Sequence, residues 1–277
     1  MGSGMAGRAL SADFPLTVYN RNREKTVPFE KAGAFVAASP REAASRADII
    51  ISIVADDVAS GGVWLGENGA LAGAARNSVL IESSTLTVEW VKELAAAAAQ
   101  RGCELLDAPV TGTKPHAANG ELLFLVGGSA SALATARPVL SVMSREIVHL
   151  GPTGSGAYLK LINNYVCGVQ AASMAEAIAF IGKSGLNREK AVSVLMAGAP
   201  GSPLLKTISA RAAAGDSTTN FELRLMAKDL RYAVEEAARS GIKLQTATAA
   251  HEIFKHAIAG GLGEKDFSAI LESVHPN

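Results

Sequence analysis

Up to about residue 150 the chain alternates short, almost wholly apolar runs with alanine-rich stretches of helical period. Residues 16–19, 49–54, 79–81, 105–106 and 122–126 predict strands, and 40–47, 87–101 and 129–141 predict the helices between them. Strands without polar alternation, separated by helices, call for a parallel sheet covered on both faces: a doubly wound α/β domain over residues 1–152. After Gly151 the β-branched runs stop. Helical patterns then cover 160–184, 188–196, 202–213, 223–240, 246–259 and 266–272. They are broken at Gly185, Gly198, Gly201, Gly215, Gly241 and Gly260 to Gly263, where turn chemistry ends helices. Residues 153–277 are therefore predicted to form an all-helical domain.

The most apolar of these helices opens with Lys160, four residues before Asn164. At that spacing a cation and an amide share one helix face. The stretch onward to about Ile181 is apolar or small apart from Gln170 and Glu176, so an unpaired lysine here is costly to bury. Two readings stand. Either Lys160 gives its proton to a substrate, or it snorkels to solvent from a helix end. The stretch nears membrane-spanning length, yet Lys160, Asn163, Asn164, Gln170 and Glu176 would all have to enter hydrocarbon. A buried interdomain helix or the interface of a homodimer or homotetramer is the expectation instead.

Composition narrows the function. With 48% hydrophobic residues the chain can bury a full core, and its 26 basic and 26 acidic residues cancel, which points away from nucleic acid. Cys103 and Cys167 lie in apolar runs and are expected to be reduced, buried thiols. With no secretory pattern at the N-terminus, a cytoplasmic protein without membrane association is expected.

Gly2-Ser3-Gly4-Met5-Ala6-Gly7 carries the letters of a dinucleotide fingerprint, but only Met1 precedes it where a strand should be. The letters match by chance, or Met1-Gly2 is the end of the motif, with its strand and first glycines absent. The apolar spacing of Met1, Met5, Ala9 and Leu10 suits a helix already under way and favours the second reading. The strand at 16–19 ends in Asn20-Arg21-Asn22-Arg23-Glu24-Lys25. No acid stands at its tip to hold a ribose hydroxyl, and arginine there suits the extra phosphate of NADP, with Arg21 foremost and Arg23 or Lys25 as helpers. A solvated charged loop is the plain alternative.

Asp107-Ala108-Pro109-Val110-Thr111-Gly112-Thr113-Lys114-Pro115, then Gly120 to Gly128, then the start of the Lys160–Asn164 helix, resemble the β-hydroxyacid dehydrogenase family in order and spacing. Val110 to Pro115 look most like its glyoxylate and succinic semialdehyde reductase branch. The resemblance covers essentially the whole chain and implies a Rossmann-like domain, lacking its first strand, followed by an all-α domain. Family members open with a strand and a Gly-x-Gly-x-Met-Gly turn, of which Met1-Gly2 correspond to the end.

By that resemblance Lys160 is the catalytic lysine and Asn164 orients the substrate. Thr111, Gly112 and Thr113 lie where the substrate carboxylate binds, and Phe221 and Asp229 lie near the pocket. Gly2, Asn20, Arg21, Val54, Ala55, Thr85 and Lys228 fall on the cofactor side. Gly263 to Ser268 resemble the family's C-terminal signature, with Glu264-Lys265 less typical.

The implied activity is NADP-dependent, with NAD possible. It reduces a small semialdehyde acid such as glyoxylate, succinic semialdehyde or tartronate semialdehyde, or oxidises the matching hydroxyacid, in a cleft between domains. Hydride transfer to an aldehyde builds charge on the carbonyl oxygen, and a nearby cationic donor lowers that barrier.

Each assignment has a bland rival. Thr111-Gly112 could be an ordinary turn, and Thr85 a helix N-cap in competition with Thr87 or Ser84. Lys228-Asp229 could be a surface pair. Whole-chain rivals are an imine reductase, which typically replaces the lysine, and a non-catalytic interaction module. His251 and His256 sit five apart, about 140° around a helix, so no metal site is expected. His116 is expected at the surface or at the pocket mouth.

Overall fold

The computed structural model describes residues 1–274, and the chain divides into two compact units, Met1–Lys160 and Leu161–Asn277. In the first unit, helix α1 (Gly2–Ser11) buries Met5 and Ala9, which bears out the helical spacing seen at the start of the chain. Gly4 permits its close approach to a later helix: a Cβ there would lie 2.8 Å from the backbone carbon of Ala117. There follow β1 (Thr17–Val18), α2 (Val27–Lys31), β2 (Phe35–Val36), α3 (Pro40–Ala44), β3 (Ile49–Ser52), α4 (Asp57–Trp64), α5 (Ala70–Gly73) and β4 (Val79–Glu82). Next come α6 (Val88–Gln100), β5 (Glu104–Asp107), β6 (Val110–Thr111), α7 (Lys114–Asn119), β7 (Leu122–Gly127), α8 (Ala130–Ser141) and β8 (Ser144–Gly151).

Strands β1 and β2 form a parallel pair of their own, and a six-stranded sheet runs β3-β4-β5-β7-β6 with β8 also on β7. Pairs β3/β4, β4/β5 and β7/β8 are parallel, whereas β5/β7 and β6/β7 are antiparallel. The sheet is thus parallel-dominated rather than wholly parallel. Only residues 112–121, containing the short α7, lie between β6 and β7, too little chain for a parallel crossover, so the strand returns antiparallel. Alternate residues of the central strands face opposite layers: Ile81 and Leu106 pack with Met5, Phe124 and Leu133, while Leu80 and Leu105 pack with Trp64 and Leu94. Both faces are covered, which is why these strands lack polar alternation. Strand β8 escapes that pattern because it carries exposed Arg145 and Glu146.

The long helix α9 (Ser155–Lys183) leaves the first unit and continues into the second. It starts five residues before Lys160, so Lys160 stands in its second turn rather than at its end. Helices α10 (Arg188–Ala197), α11 (Pro203–Ala213), α12 (Leu223–Arg239) and α13 (Gln245–Ala257) complete the helical unit. The predicted helix at 266–272 is a 3-10 turn, Phe267–Glu272. Ala171, Ala175, Ile208, Leu230, Phe254 and Ile270 form its core. Gly168 brings α9 and α12 together, since a Cβ there would lie 2.9 Å from the Leu230 side chain. Helix α9 is long and apolar enough to cross a membrane, yet its Ala171, Ala172, Met174, Ala175 and Ile178 are core residues of this unit.

Candidate functional site

In the first unit, three loops leave the carboxyl ends of parallel strands, the edge at which open α/β sheets bind ligands. The first follows β1. Asn20 accepts a hydrogen bond from the backbone of Asn22 (2.9 Å), Asn22 caps the next turn, and Arg21, Arg23 and Lys25 are exposed.

The second and third loops, after β3 and β4, hold each other. Ser84 Oγ accepts the Val54 N–H at 2.7 Å, and the Asp57 carboxylate accepts both the N–H (3.0 Å) and the hydroxyl (2.7 Å) of Thr87. Val54, Ala55 and Thr85 are half-buried on these braced loops. Thr87 is the N-cap of α6, accepting from Trp90 N–H, so the capping alternative for Thr85 is ruled out. Gly2 packs near the same region: a Cβ on it would lie 2.9 Å from Ile53.

The segment that carries Thr111 and Gly112 is tied to the start of α9 by a residue the sequence reading passed over. Asp107, fully buried, accepts the Gly154 N–H at 2.7 Å and the Ala157 N–H at 2.9 Å. A carboxylate at a helix N-terminus satisfies unpaired donors and the helix dipole together. Burial pushes its pKa up, and the backbone hydrogen bonds partly oppose that shift. Lys160 follows Ala157 by three residues and is half-buried. The signal was present in Asp107 preceding Ala108-Pro109, but only the fold reveals its partners 47 and 50 residues away.

Gly112 is exposed with φ at 124°, a backbone that a residue with a side chain adopts only under strain, and Thr111 is half-buried on β6. Thr113 is the N-cap of α7 in a capping box with His116, whose Nδ1 lies 2.7 Å from the threonine hydroxyl. That engagement gives Thr113 a structural task, and it places His116 at the surface.

In the second unit, Asn164 donates to Asp229 at 2.6 Å and accepts from Asn163 at 2.9 Å. Asp229 is 1% exposed, and Lys228 Nζ lies 3.1 Å from its other oxygen, although not in hydrogen-bonding alignment. The Lys228 ammonium also sits 5.0 Å above the Tyr232 ring. Asn164 and Asp229 are buried and Lys228 is half-buried beside them, so Lys228-Asp229 is not the exposed surface pair the sequence left open. The arrangement turns the amide of Asn164 by fixing one of its N–H bonds.

Phe221 packs edge-on against Phe267 at 5.8 Å, on a loop whose Asn220 and Phe221 N–H groups both reach Asp266. Arg211 pairs with Asp266 and Asp216, each at 2.9 Å. Burial acts to raise the Asp266 pKa, but the hydrogen bonds from Phe221, Ser268 and Asn220 outweigh it and leave it lowered.

Residues 1–151 match the NAD-binding domain of 6-phosphogluconate dehydrogenase, and residues 154–274 match the NAD-binding family of NADP-dependent 3-hydroxyisobutyrate dehydrogenase. The chain belongs to the β-hydroxyacid dehydrogenase family. A 3-hydroxyisobutyrate dehydrogenase from Salmonella typhimurium superposes with a TM-score of 0.89 at 27% identity, covering 99% of this chain and 96% of that one. The NAD-dependent L-serine dehydrogenase of Pseudomonas aeruginosa is 33% identical over all of this chain and 95% of its own length. Glyoxylate/succinic semialdehyde reductase 2 of Arabidopsis thaliana is 32% identical over 99% of this chain and 76% of its own length.

This β-hydroxyacid dehydrogenase is therefore an NAD(P)-dependent oxidoreductase, and not the non-catalytic module the sequence left possible. Its own residues fit a dinucleotide: three loops stand at the carboxyl ends of parallel strands, and the one after β1 presents exposed arginines without an acid at the strand tip.

Proposed function

We propose that this enzyme reduces a small semialdehyde acid with NADPH, or oxidises the matching hydroxyacid, and that Lys160 is its general acid and base. The observation that carries the reading is the α9 pair: half-buried Lys160, one turn before an Asn164 whose amide is fixed by buried Asp229. Asparagine held this way offers a directed N–H without titrating. The lysine one turn away is left as the group that exchanges a proton with the substrate oxygen.

The bound nicotinamide supplies or accepts the hydride. Thr111 and Gly112 receive the carboxylate, the first through its hydroxyl and the second through backbone that no side chain crowds. Phe221 and Asp229 border the substrate. Arg21, with Asn20, holds the 2′-phosphate side of the cofactor, while Gly2, Val54, Ala55, Thr85 and Lys228 contact the rest. Thr113 supports Thr111 and Gly112 through its cap on α7.

The relatives named above act on L-serine, 3-hydroxyisobutyrate, glyoxylate and succinic semialdehyde, all small carboxylates by chemistry. A panel of these, with tartronate semialdehyde, assayed with NADPH, NADH, NADP and NAD tests the reading. Highest kcat/KM for a semialdehyde with NADPH supports it, and highest kcat/KM for L-serine with NAD would replace it with the amino-acid oxidation.

We also place the enzyme in the cytoplasm as a homodimer or homotetramer. Cys103 and Cys167 are free thiols, the first buried and the second half-buried. Helix α9 exposes Ile162, Val166 and Phe180, the last at 78%, as apolar surface for a second copy.

A further inference from the structure

Glu82, at the end of β4, is 1% exposed, and its nearest polar groups are neutral donors. One carboxylate oxygen accepts the Ser84 N–H at 2.9 Å. The other accepts the Ser60 hydroxyl at 2.6 Å and the Trp64 indole N–H at 2.7 Å. Ser60 in turn accepts the indole N–H of Trp90 at 2.9 Å, which fixes its own proton toward Glu82.

The two indoles are the only tryptophans in the chain. Ser84, held by Glu82 through its N–H, uses its hydroxyl to accept from Val54 at 2.7 Å. The carboxylate thus joins the loop after β4 to α4, and through Ser84 to the loop after β3. Burying a carboxylate away from cations is costly, and three donors converging on it are what make it tolerable. A glutamine would bring an amide N–H against one of those donors.

We propose that Glu82 is a positioning residue for the cofactor: its carboxylate sets the loops bearing Val54, Ala55 and Thr85 in one arrangement, and Trp64 and Trp90 report that arrangement. The inference rests on the reading that those loops contact the dinucleotide. The Asp57–Thr87 brace joins the same two loops farther along each of them, while Ser84 joins them at Val54.

The test is steady-state kinetics and tryptophan emission on the full chain, with NADPH and NADH titrated separately, for the unaltered protein, Glu82→Gln and Ser84→Ala. In Glu82→Gln the cofactor KM is expected to rise about tenfold, as loss of a charged hydrogen-bond acceptor predicts. The KM for the aldehyde should stay within about twofold, and the emission of the unliganded protein should shift as Trp64 loses its acceptor.

Ser84→Ala removes only the link to Val54 and should raise the cofactor KM about threefold with the emission unmoved, which keeps the proposal testable if Glu82→Gln does not fold. An unchanged cofactor KM beside a lowered melting temperature would show Glu82 to be structural only, and would overturn the proposal while leaving the cofactor reading intact. Failure of the unaltered protein to bind either nucleotide would overturn that reading, and this one with it.

Discussion

Among single residues, direction and charge come from different side chains. Asn164 and Asp229 supply direction, because each has its amide or carboxylate committed to a partner inside the helical unit. In the proposed reading Arg21, exposed after β1, supplies charge to the cofactor. Arg21→Ala is expected to raise the KM for NADPH about tenfold while leaving NADH within about twofold, since only the phosphorylated cofactor loses a charge-assisted bond. Steady-state kinetics with both cofactors checks it, and equal losses would contradict the phosphate role. Asp229→Asn should lower kcat, because the Asn164 amide is held less firmly, and should raise the KM for the aldehyde as well, because Asp229 borders the substrate in the proposed reading. Comparison of kcat and KM for the aldehyde decides this.

Among elements, the start of α9 matters most, because Asp107 fastens it to the strand segment that leads to Thr111 and Gly112. Asp107→Asn keeps one acceptor but sets an amide N–H against a helix N–H. It should destabilise the first unit by about 2 kcal/mol, read as a lowered denaturation midpoint, and depress turnover together with it. Much of this framework was legible in the chain. The apolar runs at 49–54, 79–81 and 122–126 became β3, β4 and β7, because strands covered on both faces leave an unbroken hydrophobic signature.

Strand β8 was not legible, since an edge strand with Arg145 and Glu146 has no such signature. Nor was the antiparallel return of β7, which depends on how little chain lies between it and β6. The same limit applies to function. Lys160 and Asn164 share a helix, so their relation follows from spacing. Asp107, Glu82 and Ser84 act on groups brought to them by folding, and no local pattern marks them.

At the scale of the whole molecule, acidification should treat the two units differently. In the helical unit, Arg211 holds Asp216 down to about 2 and hydrogen bonds leave Asp266 lowered. Stability from these groups is present above the ordinary carboxylate range and is lost as pH falls through their depressed values. His251, lowered chiefly by burial, adds a loss of the same sign once pH falls below the ordinary histidine value. In the first unit, burial raises the pKa of both Glu82 and Asp107, so the folded state holds protons the unfolded chain has released. Stability there rises as pH falls through these raised values toward the ordinary carboxylate range.

Both tryptophans belong to the first unit, so melting followed by tryptophan emission should fall less on acidification than melting followed by helical circular dichroism. Coincident transitions at every pH would contradict this.

In the proposed reading the central requirement for turnover is the proton carried by Lys160. The decisive measurement is kcat for semialdehyde reduction by Lys160→Ala alongside its affinity for NADPH. A fall in kcat of about 10³-fold is expected, within the range for loss of a general acid, with cofactor affinity within about twofold of the unaltered enzyme. Retention of most of the turnover at undiminished cofactor binding would contradict it.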